Sequence, residues 1–199
     1  MITEAHIFGL GFTQDVAEDT GQKRRWREVR ATAGPERFIH PPVEWHTSPK
    51  KLAGFIAGEL QPAAAAGVEV RLFGYFYSWS GGWLFPRLAR ALQARGRPFD
   101  TAVLCDPVYR SPVWPDWMPT WAQVAPMSLL RSPIIKIRAG SVRRLEVVYQ
   151  ATEGEALQGH RVTAPGAIVG SRRITGVGHT DIDESDAYRE LVRQVAGLD

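Results

Sequence analysis

The chain has 199 residues, 44% apolar and 23% charged, with 19 glycines and 14 prolines, which is one domain's worth of ordinary globular sequence. A lone cysteine, Cys105, rules out an internal disulfide, and the Cys/His clusters of a structural zinc site are missing, so disulfide scaffolds and zinc fingers are excluded and no metal is expected. Lys+Arg 24 against Asp+Glu 21 leaves a charge of +3, mostly scattered arginine; the tightest cluster, Lys23, Arg24, Arg25, Trp26 and Arg27, reads as a solvated face, and no nucleic-acid partner is expected.

The first six residues show no basic segment leading into an apolar run, and nowhere do about 18 apolar residues follow one another. The expectation is a cytoplasmic protein with neither signal peptide nor membrane span. In chain order, residues 5–10 (AHIFGL) read as a strand closed by a turn at Gly11, Phe12, Thr13 and Gln14. The charge-rich stretch up to about Arg30 reads as loop or irregular helix, and residues 37–40 as a second extended piece stopped by Pro41 and Pro42. Ser48 and Pro49 start a helix, with Leu52, Phe55, Ile56 and Leu60 on one apolar face.

Residues 68–77 (VEVRLFGYFY) form the strongest strand, alternating and then continuously apolar, as suits a central strand buried on both faces. Residues 78–82 break it, and Trp83, Leu84, Leu88 and Leu92 continue as an amphipathic helix ending near Gly96. A short buried strand over residues 101–105 ends on Asp106 and Pro107, and the proline-rich residues 111–133, with three tryptophans, read as a long ordered loop. Residues 145–150 and 172–177 read as strands, and residues 187–195 as a final amphipathic helix. Strands alternating with helices predict an α/β fold, a three-layer sandwich whose mostly parallel sheet has helices on both faces, in one domain over residues 1–199. In such sheets the chemistry gathers at the carboxyl ends of the strands.

Three segments lie just past a strand and each brings one part of a nucleophilic apparatus: Ser78 and Ser80, then Asp106, then His179. A serine hydroxyl needs a base within hydrogen-bond reach and a third group that orients that base, and a serine, a histidine and an aspartate on separate loops of one sheet edge can meet that need. His179 sits between Gly178 and a polar turn, ahead of the last helix; His6 lies within a strand, His40 and His46 bracket prolines, and His160 follows Gly159 in a loop. Asp181 and Asp183 are expected to start the last helix, where carboxylates favour the dipole. Cys105, inside a strand, reads as a small hydrophobe.

With these residues in place the chain resembles the α/β-hydrolase superfamily. The likeness rests on the strand, serine turn and helix over residues 68–96, on Asp106 and on His179; Tyr77, Ser78, Trp79 and Asp106 to Arg110 further resemble small, lidless members of it. The order Ser, Asp, His is the one found in that superfamily, and the resemblance implies a minimal α/β-hydrolase-like fold. The serine turn departs from G-x-S-x-G and leaves two phasings. Around Ser80 the residues two away are the small Ser78 and Gly82, whereas around Ser78 they are Phe76 and Ser80. A shorter strand and the Tyr-Ser-Trp form of the turn favour Ser78, the preferred nucleophile; Ser80 is the alternative. For the acid, the superfamily's commoner placement implies Glu153 or Glu155 and its less common one Asp106, which is preferred.

The resemblance also implies backbone donors for an oxyanion: Trp79 or Gly81, according to the phasing, and Phe12 in the turn after the first strand, although the usual His-Gly there is absent. Gly9 and Gly11 lack the third glycine of a dinucleotide motif, so no cofactor is expected. The function implied is a serine esterase or thioesterase acting on a small-molecule acyl ester or thioester. Trp114, Trp117, Met118 and Trp121 are candidates to bind the acyl group, or plugs that fix their loop on the core. The alternatives are a non-catalytic binding protein on the same scaffold, marked by a serine and histidine too far apart to touch, and acyl transfer to an acceptor other than water.

Overall fold

Strands and helices alternate along the chain of the computed structural model, which describes residues 1–12, 14–15, 17–109, 134–151 and 159–198. In chain order these are β1 (Glu4–Gly9), α1 (Gly21–Ala31), β2 (Arg37–Ile39), α2 (Pro49–Ala65), β3 (Arg71–Tyr77), a wide π-type turn (Ser80–Leu84) running into α3 (Phe85–Gln93), and β4 (Phe99–Cys105). Then follow β5 (Ile135–Lys136), β6 (Val142–Gln150), β7 (Val162–Thr163), β8 (Ile168–Ile174), a short 3-10 turn (Ile182–Glu184) and α4 (Asp186–Ala196).

Six strands form one sheet in the order β2-β1-β3-β4-β6-β8, and every pairing within it is parallel. β3, near the middle, is buried at all but its first position, which explains its unbroken apolar run. Its side chains divide by the strand's period of two. Leu72 and Phe76 face the layer made by α2 and α3, with Leu52, Ile56, Leu88 and Leu92. Phe73, Tyr75 and Tyr77 face the layer made by α1 and α4, with Val29, Tyr188, Leu191 and Val192. The architecture is therefore the expected α/β/α sandwich with an α/β-hydrolase-like sheet.

Several local expectations are corrected. Residues 21–31 form a regular helix rather than a loop or an irregular one, capped by the Thr20 side chain, which accepts from the Lys23 N–H. Its buried face is Gly21, Gln22, Arg25 and Val29, so it carries little apolar signal. Gln22 instead satisfies the sheet, donating to the carbonyls of Gly9 and Tyr75 and accepting from the Tyr188 hydroxyl. The basic cluster there is not a plain solvated face: Arg25 is buried against Glu28, and Arg24 and Arg27 pair with Asp19.

In α2, Phe55 is 51% exposed and lies off the apolar face, where Ala53 and Ala63 sit instead. β8 starts at Ile168 rather than Arg172 and is an edge strand, with Ile168 and Val169 exposed. The two-residue β5 and β7 pair with each other and are too short to carry a period. Asp183 does not start α4, since Ser185 caps that helix. It is buried instead, and accepts from the Gln22 N–H at the start of α1 and from the Gln14 side chain. The loop expected over residues 111–133, with Trp114, Trp117, Met118 and Trp121, lies outside the described residues, as do Glu153 and Glu155. Among the described residues no helix is long and apolar enough to cross a membrane.

Candidate active site

Tyr77 at the end of β3 is paired with Cys105 at the end of β4, so the next residue of each strand, Ser78 and Asp106, leaves the sheet at the same level. Both have positive φ, 52° and 42°. The chain thus turns sharply at both positions, and both side chains stand at the carboxyl edge of the sheet, the expected place for chemistry. The two turns are tied together: the Val108 N–H donates to the Ser78 carbonyl at 3.0 Å. Gly82 makes this approach possible, because a Cβ there would stand 2.0 Å from the Val108 carbonyl oxygen.

His179 completes the set from the loop between β8 and α4. Its Nε2 lies 2.9 Å from Ser78 Oγ, and its Nδ1 lies 2.5 Å from Asp106 Oδ2. The other carboxylate oxygen of Asp106 accepts from the Gln150 N–H at 3.1 Å and the Gly159 N–H at 3.0 Å. Asp106 is fully buried, and a buried carboxylate requires such donors. They also fix the face it turns to His179. With Nδ1–H directed at the carboxylate, the imidazole carries its lone pair on Nε2, toward the serine.

Tyr77 holds the histidine from behind. Its hydroxyl donates to the His179 carbonyl at 2.5 Å, and the two rings stack with centroids 5.5 Å apart. Burial, with Asp183 nearby, pushes the Tyr77 phenol far above its ordinary range, which keeps the hydroxyl protonated as the donor of that bond. Sequence reasoning missed this role; the only signal was a polar aromatic closing an apolar strand.

Ser80, two residues on, turns away. It is fully buried, and its hydroxyl donates to the Tyr77 carbonyl at 2.8 Å. Gly81 packs in the same turn, where a Cβ would meet Pro107. Trp79, immediately after Ser78, is in ring contact with Phe12 at 4.2 Å and with Trp45 at 5.1 Å. The turn after β1 and the serine turn therefore meet. Gln14 closes the first of these turns by accepting from the Gly11 N–H at 3.1 Å, and its amide reaches Asp183 at 2.7 Å. Burial raises the Asp183 pKa, against the hydrogen bonds from Gln14 and Gln22.

The other histidines are placed elsewhere. His160 is buried beside Asp106, but its Nδ1 accepts from the Tyr109 N–H at 2.8 Å. Burial lowers its pKa to about 4, against the attraction of Asp106. His6 is buried inside β1 against Tyr75, and burial likewise lowers its pKa to about 4. Cys105 is fully buried and its thiol is pushed up by burial, which suits a core hydrophobe.

No family model and no curated protein matches the chain by sequence. Solved structures do match in fold. The thioesterase domain SrfTE, which cyclises the lipopeptide antibiotic surfactin, is 12% identical with a TM-score of 0.55, over 99% of this chain and 91% of its own. A thermostable esterase from Pseudomonas putida is 15% identical with a TM-score of 0.52, over 98% of this chain and 72% of its own. An esterase from Pyrobaculum calidifontis is 14% identical with a TM-score of 0.50, over 98% and 75%. The fold is that of the α/β-hydrolases.

Proposed function

We propose that this chain is a serine hydrolase that cleaves a carboxylic ester or thioester through an acyl-enzyme, as one hydrolase domain. The observation that carries the reading is the unbroken contact from Ser78 Oγ to His179 Nε2 at 2.9 Å and from His179 Nδ1 to Asp106 Oδ2 at 2.5 Å. Within it Ser78 is the nucleophile, His179 the base and Asp106 the orienting acid. Ser80 is spoken for by the Tyr77 carbonyl. The binding-scaffold alternative called for a serine and histidine out of reach of one another, which this contact does not match.

In the first step Ser78 Oγ bonds to the acyl carbon while its proton passes to His179 Nε2. The bond to the leaving oxygen or sulfur then breaks, and that atom takes the proton from His179. In the second step a water loses its proton to Nε2 and adds to the acyl carbon, the Ser78 ester bond breaks, and the proton returns to Oγ. The sum is ester plus water to acid plus alcohol, or thioester plus water to acid plus thiol. Asp106 stays ionised and stabilises the imidazolium formed in each step. The N–H of Trp79 and that of Phe12 are assigned as the oxyanion donors; the support is the ring contact that joins their two turns.

The test is turnover of activated p-nitrophenyl esters with a pre-steady-state burst. Ser78→Ala and His179→Ala are expected to lose the burst, and Asp106→Asn to lower kcat about 10⁴-fold by presenting the wrong tautomer. Full turnover in Ser78→Ala contradicts the reading.

A further inference from the structure

We propose that the exposed edge of β8 is the interface of a two-fold dimer, in which β8 of a second copy pairs with it antiparallel and joins the two sheets into one. The inference does not depend on the hydrolase reading.

The two edges of the sheet are built differently. β2 is three residues long and runs into Pro41 and Pro42, the kind of short, proline-stopped edge that discourages pairing. β8 is seven residues long and contains no proline. Its Ile168 is 72% and its Val169 49% exposed, beside exposed Ser171, Arg172 and Arg173. In a parallel ladder each residue turns its N–H and its carbonyl to one side, and successive residues take opposite sides. The Ile174 carbonyl accepts from the Ala151 N–H just past β6 at 2.8 Å, so Ile168, Gly170, Arg172 and Ile174 serve β6. Val169, Ser171 and Arg173 therefore turn outward, and no strand of the described residues meets them.

A second copy of the same strand fits this outward row. With Ser171 on a two-fold axis normal to the sheet, Ser171 meets Ser171, and Val169 meets Arg173 of the second copy. Every outward N–H and carbonyl of β8 then finds a counterpart. Moving the axis by one residue in either direction leaves one outward residue of each copy without a partner in the strand. The same axis sets Ile168 opposite Ile174 of the second copy, a β-branched pair of the kind that stabilises neighbouring strands, and covers the most exposed side chain of β8.

Arginines on an edge ordinarily oppose pairing, but here the neighbouring strand carries a counter-charge. Glu146, which pairs with Gly170 across the β6–β8 ladder, is buried, and its Oε1 meets Arg144 at 2.9 Å. Its Oε2 lies over Gly170, in the space that a Cβ there would occupy. Arg172 of the second copy stands opposite Gly170 on the same face, so its guanidinium reaches that oxygen across the glycine. Arg173 of the second copy lays its stem along Val169 and keeps its charge in water. Both contacts recur with the copies exchanged, as a closed two-fold interface requires. Two strands of this length make a small interface, so the dissociation constant is expected on the order of 10 µM.

The experiment is sedimentation velocity on the full chain from about 1 to 200 µM, a range that brackets that constant. It compares the wild type with Val169→Lys, Val169→Glu and Ser171→Pro, with circular dichroism to verify that each is folded. Val169→Lys sets like charges opposite Arg173 of the second copy, and Val169→Glu sets opposite ones. Ser171→Pro deletes an outward N–H that β6 does not use; if that variant fails to fold, the two Val169 variants carry the test. The wild type is expected to pass from monomer to dimer. Val169→Lys is expected to weaken the dimer about tenfold or more, Val169→Glu to hold it as tightly or more so, and Ser171→Pro to be monomeric. A wild type that is monomeric throughout overturns the proposal. So does a dimer that neither Val169→Lys nor Ser171→Pro weakens, which places the contact on another surface. Equal weakening by Val169→Lys and Val169→Glu marks an apolar contact without this register and overturns the antiparallel pairing.

Discussion

Ser78 and Asp106, each the residue after a paired strand end, are the two non-glycine residues with positive φ among the described residues, at 52° and 42°. Left-handed backbone costs an L-residue roughly 1–2 kcal/mol, and such strain gathers where geometry serves a site rather than the core. At Ser78 the strain brings Oγ to His179. At Asp106 it turns a carboxylate back under the same ring. Ser78→Gly and Ser78→Ala both delete the hydroxyl, but only alanine keeps a Cβ against this backbone. The glycine variant is expected to be the more stable by about 1 kcal/mol, or a few degrees in Tm. Thermal unfolding of the pair checks this, and an alanine variant of equal or higher Tm contradicts it.

Tyr77→Phe removes the hydroxyl that donates to the His179 carbonyl and leaves the stacked ring. A buried carbonyl stripped of its donor costs about 1–3 kcal/mol. Because that carbonyl belongs to the loop carrying His179, the variant is expected to lower kcat more than it raises KM. Denaturant unfolding and steady-state kinetics on one preparation separate the two effects.

Buried His160 gives the fold an acid-sensitive contact. Its pKa falls from 6.5 to about 4, through burial in the first place. Between those values the unfolded chain binds a proton that the folded chain does not, so stability rises with pH across the window and is lost as pH falls from 6.5 toward 4. The loss is on the order of 3 kcal/mol from this residue. His160→Asn, whose side-chain oxygen can still accept from the Tyr109 N–H, is expected to flatten the profile there. Urea unfolding at several pH values measures it, and an unchanged slope contradicts the assignment.

The layer order was legible because it rests on period. β3's apolar run, the amphipathic α2 and α3, and the strand-end positions of Ser78 and Asp106 follow from local pattern, whereas His179 lies in the loop five residues past the end of β8. What escaped was what long-range contacts decide. α1 hides its core face behind Gln22 and Arg25, whose burial is understood only once the sheet carbonyls and Glu28 are beside them. Asp183 reads locally as the start of a helix, yet its partners Gln14 and Gln22 are 169 and 161 residues away. The choice between Ser78 and Ser80 turns on one backbone angle and one histidine contact, and two serines separated by one tryptophan carry neither in their sequence.

The most direct test of the central claim is covalent labelling with a fluorophosphonate, compared across the wild type, Ser78→Ala, Ser80→Ala and His179→Ala. Labelling is expected in the wild type and in Ser80→Ala, and is expected to vanish in Ser78→Ala and His179→Ala, with the adduct mapped to Ser78 by peptide mass. Labelling that survives in Ser78→Ala, or disappears only in Ser80→Ala, contradicts the assignment of Ser78 as nucleophile.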